Sequence, residues 1–293
     1  MKKLTFSFLF ALCIMRLSAQ TSMQRLVLVE EFTNASCGPC ALSNPAFNTL
    51  MTNNSTKVVC LRYHTSFPGS DPMYSQNSIQ NQGRTVYYSI TSVPNARMDG
   101  AGTFLQDVNQ TSIDAEYAVP SPIKITLKYH LSSDNDSVYV KCVVKALSTV
   151  TGTLKAQIAV IEKMITFTSA PGSNGELNFP MVVKRMLPDQ NGTALPSTMN
   201  AGDSVVINTG WLLANIYNIN QLAAVAFVQD NATKQVKQSS YASSPESTTV
   251  TPPTITLNTI TSAVCSTGGG VNINVSGGDR KSTRLNSSHT VIS

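Results

Sequence analysis

Hydrophobic and polar positions change rhythm near residue 120. Upstream, apolar residues come in short unbroken runs, Leu26-Val27-Leu28-Val29 and Val58-Val59-Cys60-Leu61, as expected of strands buried on both faces. These predict strands over residues 26–32 and 58–63. Between them the spacing is helical from Cys37 through Leu42, Phe47, Leu50 and Met51. Pro45 is predicted to kink this helix rather than end it, and Asn53-Asn54-Ser55 to close it. A loop at 67–72, a helix over 75–90 and a turn at Val93-Pro94 follow. A short strand, a hairpin turn at Asp99-Gly100 and a closing helix over 104–117 complete this part, and Pro120 and Pro122 mark a boundary.

Downstream the period becomes two. Residues 123–129 and 138–145 alternate around the turn Asp134-Asn135-Asp136, and 154–161, 204–209 and 222–229 add three more strands. Five strands without intervening helices predict an antiparallel sandwich, with Trp211 set to plug its core. Residues 164–200, broken by Pro171, Gly172, Pro180, Pro188, Gly192 and Pro196, are expected as long loops or a flap. The fold class is therefore α/β over 24–118 followed by an all-β antiparallel sandwich domain over 121–242. Residues 243–253 extend a Ser/Thr/Pro-rich stretch as a linker, and 254–278 begin a further strand pattern. Residues 279–293 lack apolar periodicity and read as a sequencing adapter translated in frame.

Composition narrows the setting. Of 293 residues, 42% are hydrophobic and only 13% charged, so Ser, Thr and Asn must fill the surface. The formal charge of +5 resides in Lys2, Lys3, Arg16 and the 279–293 tail, which leaves the body near neutral and gives no argument for nucleic acid. Residues 1–20 read as a signal peptide: Lys2-Lys3, an apolar stretch too short to span a bilayer, then Leu17-Ser18-Ala19 before a cut near Gln20. Export to the periplasm, outer membrane or cell surface follows, without a transmembrane span.

Candidate chemistry lies in Cys37-Gly38-Pro39-Cys40, placed where a strand gives way to a helix. A helix N-terminus favours a thiolate, and two intervening residues let the second sulfur resolve a mixed disulfide formed by the first. An oxidising compartment holds the pair as a disulfide unless a reducing partner acts on it. Cys60 and Cys142 lie within strands and are read as small core residues. One CxxC supplies too few ligands for zinc, and His64 and His130 stand isolated and are read as structural, so neither metal nor cofactor is expected.

The segment 31–40 resembles the thioredoxin active site. Pro45 matches the helix kink of that family, Val93-Pro94 its cis-proline turn, and Met98-Asp99-Gly100 the hairpin after it. The resemblance implies Cys37 as nucleophile, Cys40 as resolving thiol and Pro94 as a contact for incoming peptide. It implies Glu31 as proton carrier if that side chain faces the helix; solvent exposure is the alternative, since Glu30 points the other way. Ser36 replaces the usual tryptophan. With Val183–Pro188 and Ala226–Asp230, residues 24–242 resemble the outer-membrane protein twenty-eight-related family, and 254–278 the start of an immunoglobulin-like repeat of type IX secreted proteins. Two functions stay open: a thiol–disulfide oxidoreductase acting on protein thiols or disulfides, or a surface-exposed binding protein with an inert disulfide.

Overall fold

The computed structural model describes residues 20–102, 104–246, 254–261 and 270–276. The leader (Gln20 apart), most of the linker and the 279–293 tail lie outside them. The chain divides into two units, Met1–Pro245 and Glu246–Ser293. The fold is mixed α/β with few helices and mostly β-sheet.

In the first unit, β1 (Val27–Thr33) is buried along its whole length. Helix α1 (Gly38–Asn53) presents Cys40, Asn44 and Phe47 to the protein at i, i+4 and i+7, one face of a helix, and Pro45 lies inside it. Strand β2 (Val58–His64) runs parallel to β1, with Val27 opposite Val58 and Glu31 opposite Arg62. The helix expected over 75–90 is two: α2 (Pro72–Gln76) and α3 (Ser78–Tyr87). Asp71 caps the first by accepting from Met73 N and Tyr74 N, so the helix starts earlier than the apolar spacing suggests. Strand β3 (Asn95–Met98) pairs antiparallel with β1 after the cis peptide Val93–Pro94. The closing helix begins only at α4 (Gln110–Tyr117), capped by Asn109, after a 3₁₀ turn at Leu105–Asp107.

The alternating segments form β4 (Ile123–Leu131) and β5 (Ser137–Ala146), then a short β6 (Val150–Thr151) and the long β7 (Leu154–Thr166). The stretch expected to be irregular carries a full strand, β8 (Asn178–Leu187), which corrects that expectation. Its pattern is hidden because it buries residues on both sides, including Lys184 paired with Glu162 at 3.3 Å, and because Met181 takes a positive φ. Short β9 (Thr193–Ala194) and β10 (Thr198–Met199) lead to β11 (Ser204–Leu212) and β12 (Leu222–Asp230). Strand β13 (Val236–Ala242) is not among the expected strands; its Gln238 and Ser239 are buried and hydrogen-bonded to Leu26 N and Leu26 O. In the second unit β14 (Thr254–Thr261) and β15 (Gly270–Ser276) pair antiparallel.

The two segments read from the sequence as successive domains share one sheet, ordered β13-β12-β7-β8-β2-β1-β3. Strands β4, β5 and β11 form a second sheet that packs on one face of β7 and β12, with Val140, Cys142, Ile158 and Ala226 in the shared core and Trp211 half-buried against it. On the other face, Ala159, Val225 and Phe227 meet Leu28, Phe32, Leu61 and Tyr88. The large sheet curls enough for Val236 N on β13 to donate to Asp99 O beyond β3, at 2.9 Å. A Cβ at Gly100, whose φ is +87°, would come within 1.9 Å of Lys234 O, so only glycine admits this closure. Among the described residues no helix is long and apolar enough to cross a membrane.

Candidate active site

Strand β1 delivers the chain to a tight loop in which Cys37 N donates to Asn34 O and Ser36 N to Asn34 Oδ1. Cys37 then caps α1, its Sγ accepting from Cys40 N at 3.1 Å, with Pro39 in the first turn where a missing N–H costs nothing. Cys37 and Cys40 form a disulfide, and both are buried, 1% and 0% exposed. Gly38, Pro39 and Leu42 beside them are exposed, Leu42 by 86%. Cys37 Sγ lies 3.6 Å from Val93 O, the carbonyl just before Pro94. In the disulfide this is a contact only; a reduced thiol could donate there. The turn at 93–94 is thus brought against the sulfur pair, with Pro94 half-buried.

Glu31 lies on the α1 side of β1 and is fully buried. Its Oε2 is 2.6 Å from Arg62 Nε, but neither carboxylate oxygen has a hydrogen-bond donor aligned on it. Burial pushes the Glu31 pKa up; Arg62 and His64 pull against that shift and Glu176 adds to it. Arg62 also donates to Asn48 Oδ1 on α1 and stands over the Phe47 ring.

Further residues reach the loop from distant sequence. Asp71 accepts from Ala35 N at 2.6 Å and faces His64 Nδ1 at 2.7 Å. Burial raises the Asp71 pKa, but His64 and the N–H donors outweigh it and leave the group below its ordinary value. The carboxylate therefore accepts a proton-bearing Nδ1, while His64 Nε2 is buried with no hydrogen-bond partner among the described residues. The loop between β7 and β8 lies across the same segment. Asn174 N donates to Ala35 O, Asn174 Nδ2 to Cys37 O at 3.2 Å, and Ser173 N to Ser36 Oγ. Gly172 fits so closely that a Cβ would sit 2.2 Å from Ala35 O. Glu176, held by Asn44 and Asn174, completes this strap.

Of the expected site residues, Cys37 and Cys40 are bonded, Pro94 follows the carbonyl that Cys37 touches, and Glu31 lies on the helix side. His64, read as isolated, holds the loop through Asp71. Arg62 was legible: aligning the two apolar runs at Val27 and Val58 sets it opposite Glu31. Asp71-Pro72 carries a helix-cap signature. Nothing near the cysteines announces Asn174, which is 137 residues from Cys37. Among the described residues no cluster of three or more His, Cys, Asp or Glu could hold a metal.

No family model matches the chain, and no curated protein sequence matches it. Solved structures do. HBP35 of Porphyromonas gingivalis superposes with a TM-score of 0.61 at 18% identity, covering 87% of this chain and 85% of that one. The protein AGR_C_4864 from Agrobacterium tumefaciens gives 0.51 at 14% identity, over 76% and 96%. A domain of the outer membrane lipoprotein Omp28 from Porphyromonas gingivalis gives 0.30 at 16% identity, over 43% and 92%, too low to carry an argument. The first two likenesses are of fold.

Proposed function

We propose that this chain is an exported thioredoxin-like thiol–disulfide oxidoreductase acting on protein disulfides. The observation that carries the reading is Cys37 as N-cap of α1, its sulfur accepting from Cys40 N and touching the carbonyl before Pro94. Once the pair is reduced, the helix terminus favours the Cys37 thiolate. That thiolate attacks one sulfur of a substrate disulfide and expels the other as a thiolate, which takes up a proton. Cys40, its proton passed to the Glu31 carboxylate, attacks Cys37 Sγ, reforms the Cys37–Cys40 bond and releases the second substrate thiol. The substrate gains two electrons and two protons, the chain's dithiol loses them, and a dithiol-bearing partner restores it. Pro94 lines the approach of the substrate peptide. Residues 24–118 carry the chemistry in this reading and 121–242 support it through the shared sheet.

The test is reduction of a protein disulfide by the full chain with dithiothreitol as electron donor. Wild type should accelerate the reaction and Cys37→Ser should lose the acceleration; equal rates would overturn the proposal. Burial of both cysteines beneath the 172–176 strap supports a second reading, a surface-exposed binding protein of the outer-membrane protein twenty-eight-related kind with a structural disulfide. It predicts no acceleration by either form.

A further inference from the structure

Strands β2 and β8 pair in parallel at a single position, Arg62 opposite Val182. Toward the start of each strand they diverge, since Pro180 has no N–H to offer and Met181 departs from strand geometry with a φ of +57°. The divergence opens a cavity of about 370 Å³ between the sheet and the C-terminal half of α1. That volume is in the range of small-molecule sites. Met51, Val58, Val59, Met164, Pro180 and Met181 form its apolar wall, beside polar Asn48, Thr52 and Ser55, and methionine side chains adapt their shape to an apolar guest. Cys60 adds to it as a neutral thiol, its pKa pushed up to about 12 by burial.

The charged lining is all of one sign. Arg62 and Lys163 line the cavity, and no Asp or Glu does. Arg62 is engaged by Glu31 and Asn48. Lys163, half-buried, donates only to the backbone at Ser243 O, at 3.0 Å, and has no ion-pair partner among the described residues. An apolar chamber with one uncompensated ammonium selects against cations and favours a guest with an apolar body and an anionic end. We propose that this cavity binds a single-chain amphipathic carboxylate, with the carboxylate at Lys163 and the hydrocarbon among the methionines. Binding there holds whether or not the disulfide is catalytic; Arg62 is the lining residue that also reaches the cysteine side, through Glu31.

Calorimetric titration of the full chain with decanoate, kept below its aggregation concentration, tests this. Saturable binding at a single site is expected, with decanol binding more weakly. Lys163→Ala should weaken decanoate by up to about fivefold, the worth of a partly exposed ion pair. Met51→Trp should abolish binding by filling the chamber, and Met164→Trp, at a more exposed wall position, serves if the first variant does not fold. Absence of saturable binding, equal affinity for decanol, or binding that survives a folded tryptophan variant would each overturn the proposal.

Discussion

Glu30 and Glu31 are neighbours on β1, both fully buried, and their surroundings could hardly differ more. Behind the strand, Glu30 receives Arg84 through Nη2 at 2.6 and 2.8 Å and Nε at 3.0 Å, and the Tyr88 hydroxyl at 2.6 Å. Gln229 closes that network by donating to Tyr88 Oη and accepting from Arg84. Burial would lower the Arg84 pKa, but Glu30 and the neighbouring phenols raise it above its ordinary value. In front, Glu31 has one ion pair with no aligned hydrogen bond, and burial raises its own pKa. A saturated carboxylate fixes α3 to the sheet; an undersatisfied one can take up a proton. One strand therefore carries a clamp on one face and, on the other, a buried carboxyl whose pKa is raised.

The largest effect should come from opening the clamp. Glu30→Gln leaves Arg84 buried without its counter-charge and should cost about 3–5 kcal/mol in denaturant unfolding. Glu31→Gln also takes the counter-charge from buried Arg62, but burial already opposes the Glu31 charge and Arg62 keeps Asn48 and the Phe47 ring, so the loss should be smaller than for Glu30→Gln. Equal losses would erase the distinction between the two faces.

The next effect is on the pH dependence of stability. A carboxylate whose pKa is raised on folding binds more protons in the native state, so stability is greatest below its unfolded pKa and declines as pH rises through the folded one. Asp99, buried against Arg25 and bonded to Leu28 N, is raised to about 6, with burial the largest cause. From an unfolded value of about 3.9, its share of the decline between pH 4 and 6 is about 2–3 kcal/mol. Asp99→Asn should flatten that window, and Glu31→Gln should flatten the slope further. Asp71, lowered on folding, acts in the opposite sense: its contribution is present above its unfolded pKa and is lost as pH falls through the folded one. If thermal unfolding of Glu31→Gln keeps the wild-type slope, Glu31 is not the acid described.

The smallest effect concerns the strap. Gly172→Ala cannot keep its close approach to Ala35 O and should lift the 172–176 segment from the cysteine loop. The segment holds the loop by several hydrogen bonds, and each one lost, at about 1 kcal/mol, corresponds to roughly fivefold faster reduction of Cys37–Cys40 by dithiothreitol. An unchanged rate would mean that the strap does not limit access.

Much of the site follows from local order along the chain. The apolar runs placed β1 and β2, the Cys-Gly-Pro-Cys spacing placed a helix cap on the first sulfur, and strand alternation alone sets Glu30 and Glu31 on opposite faces. Which face looks toward α1 could not be read, because period two names the faces without saying what covers them. Strands β4, β5 and β11 were equally plain, since each has one wet side. Strands β8 and β13 were hidden for the converse reason: Lys184, Gln238 and Ser239 are polar in sequence but buried in the fold through partners far along the chain.

What residue order decided, then, was the pairing of two cysteines at a helix cap and the two rhythms of the chain, because helix caps, strand periods and CxxC spacing act over a few residues. Tertiary structure alone decided that both rhythms share one sheet, that the 172–176 loop straps the cysteines, and that β2 and β8 part to leave a cavity. Those features rest on contacts between residues more than a hundred positions apart, where burial and hydrogen bonding, rather than local propensity, set the balance.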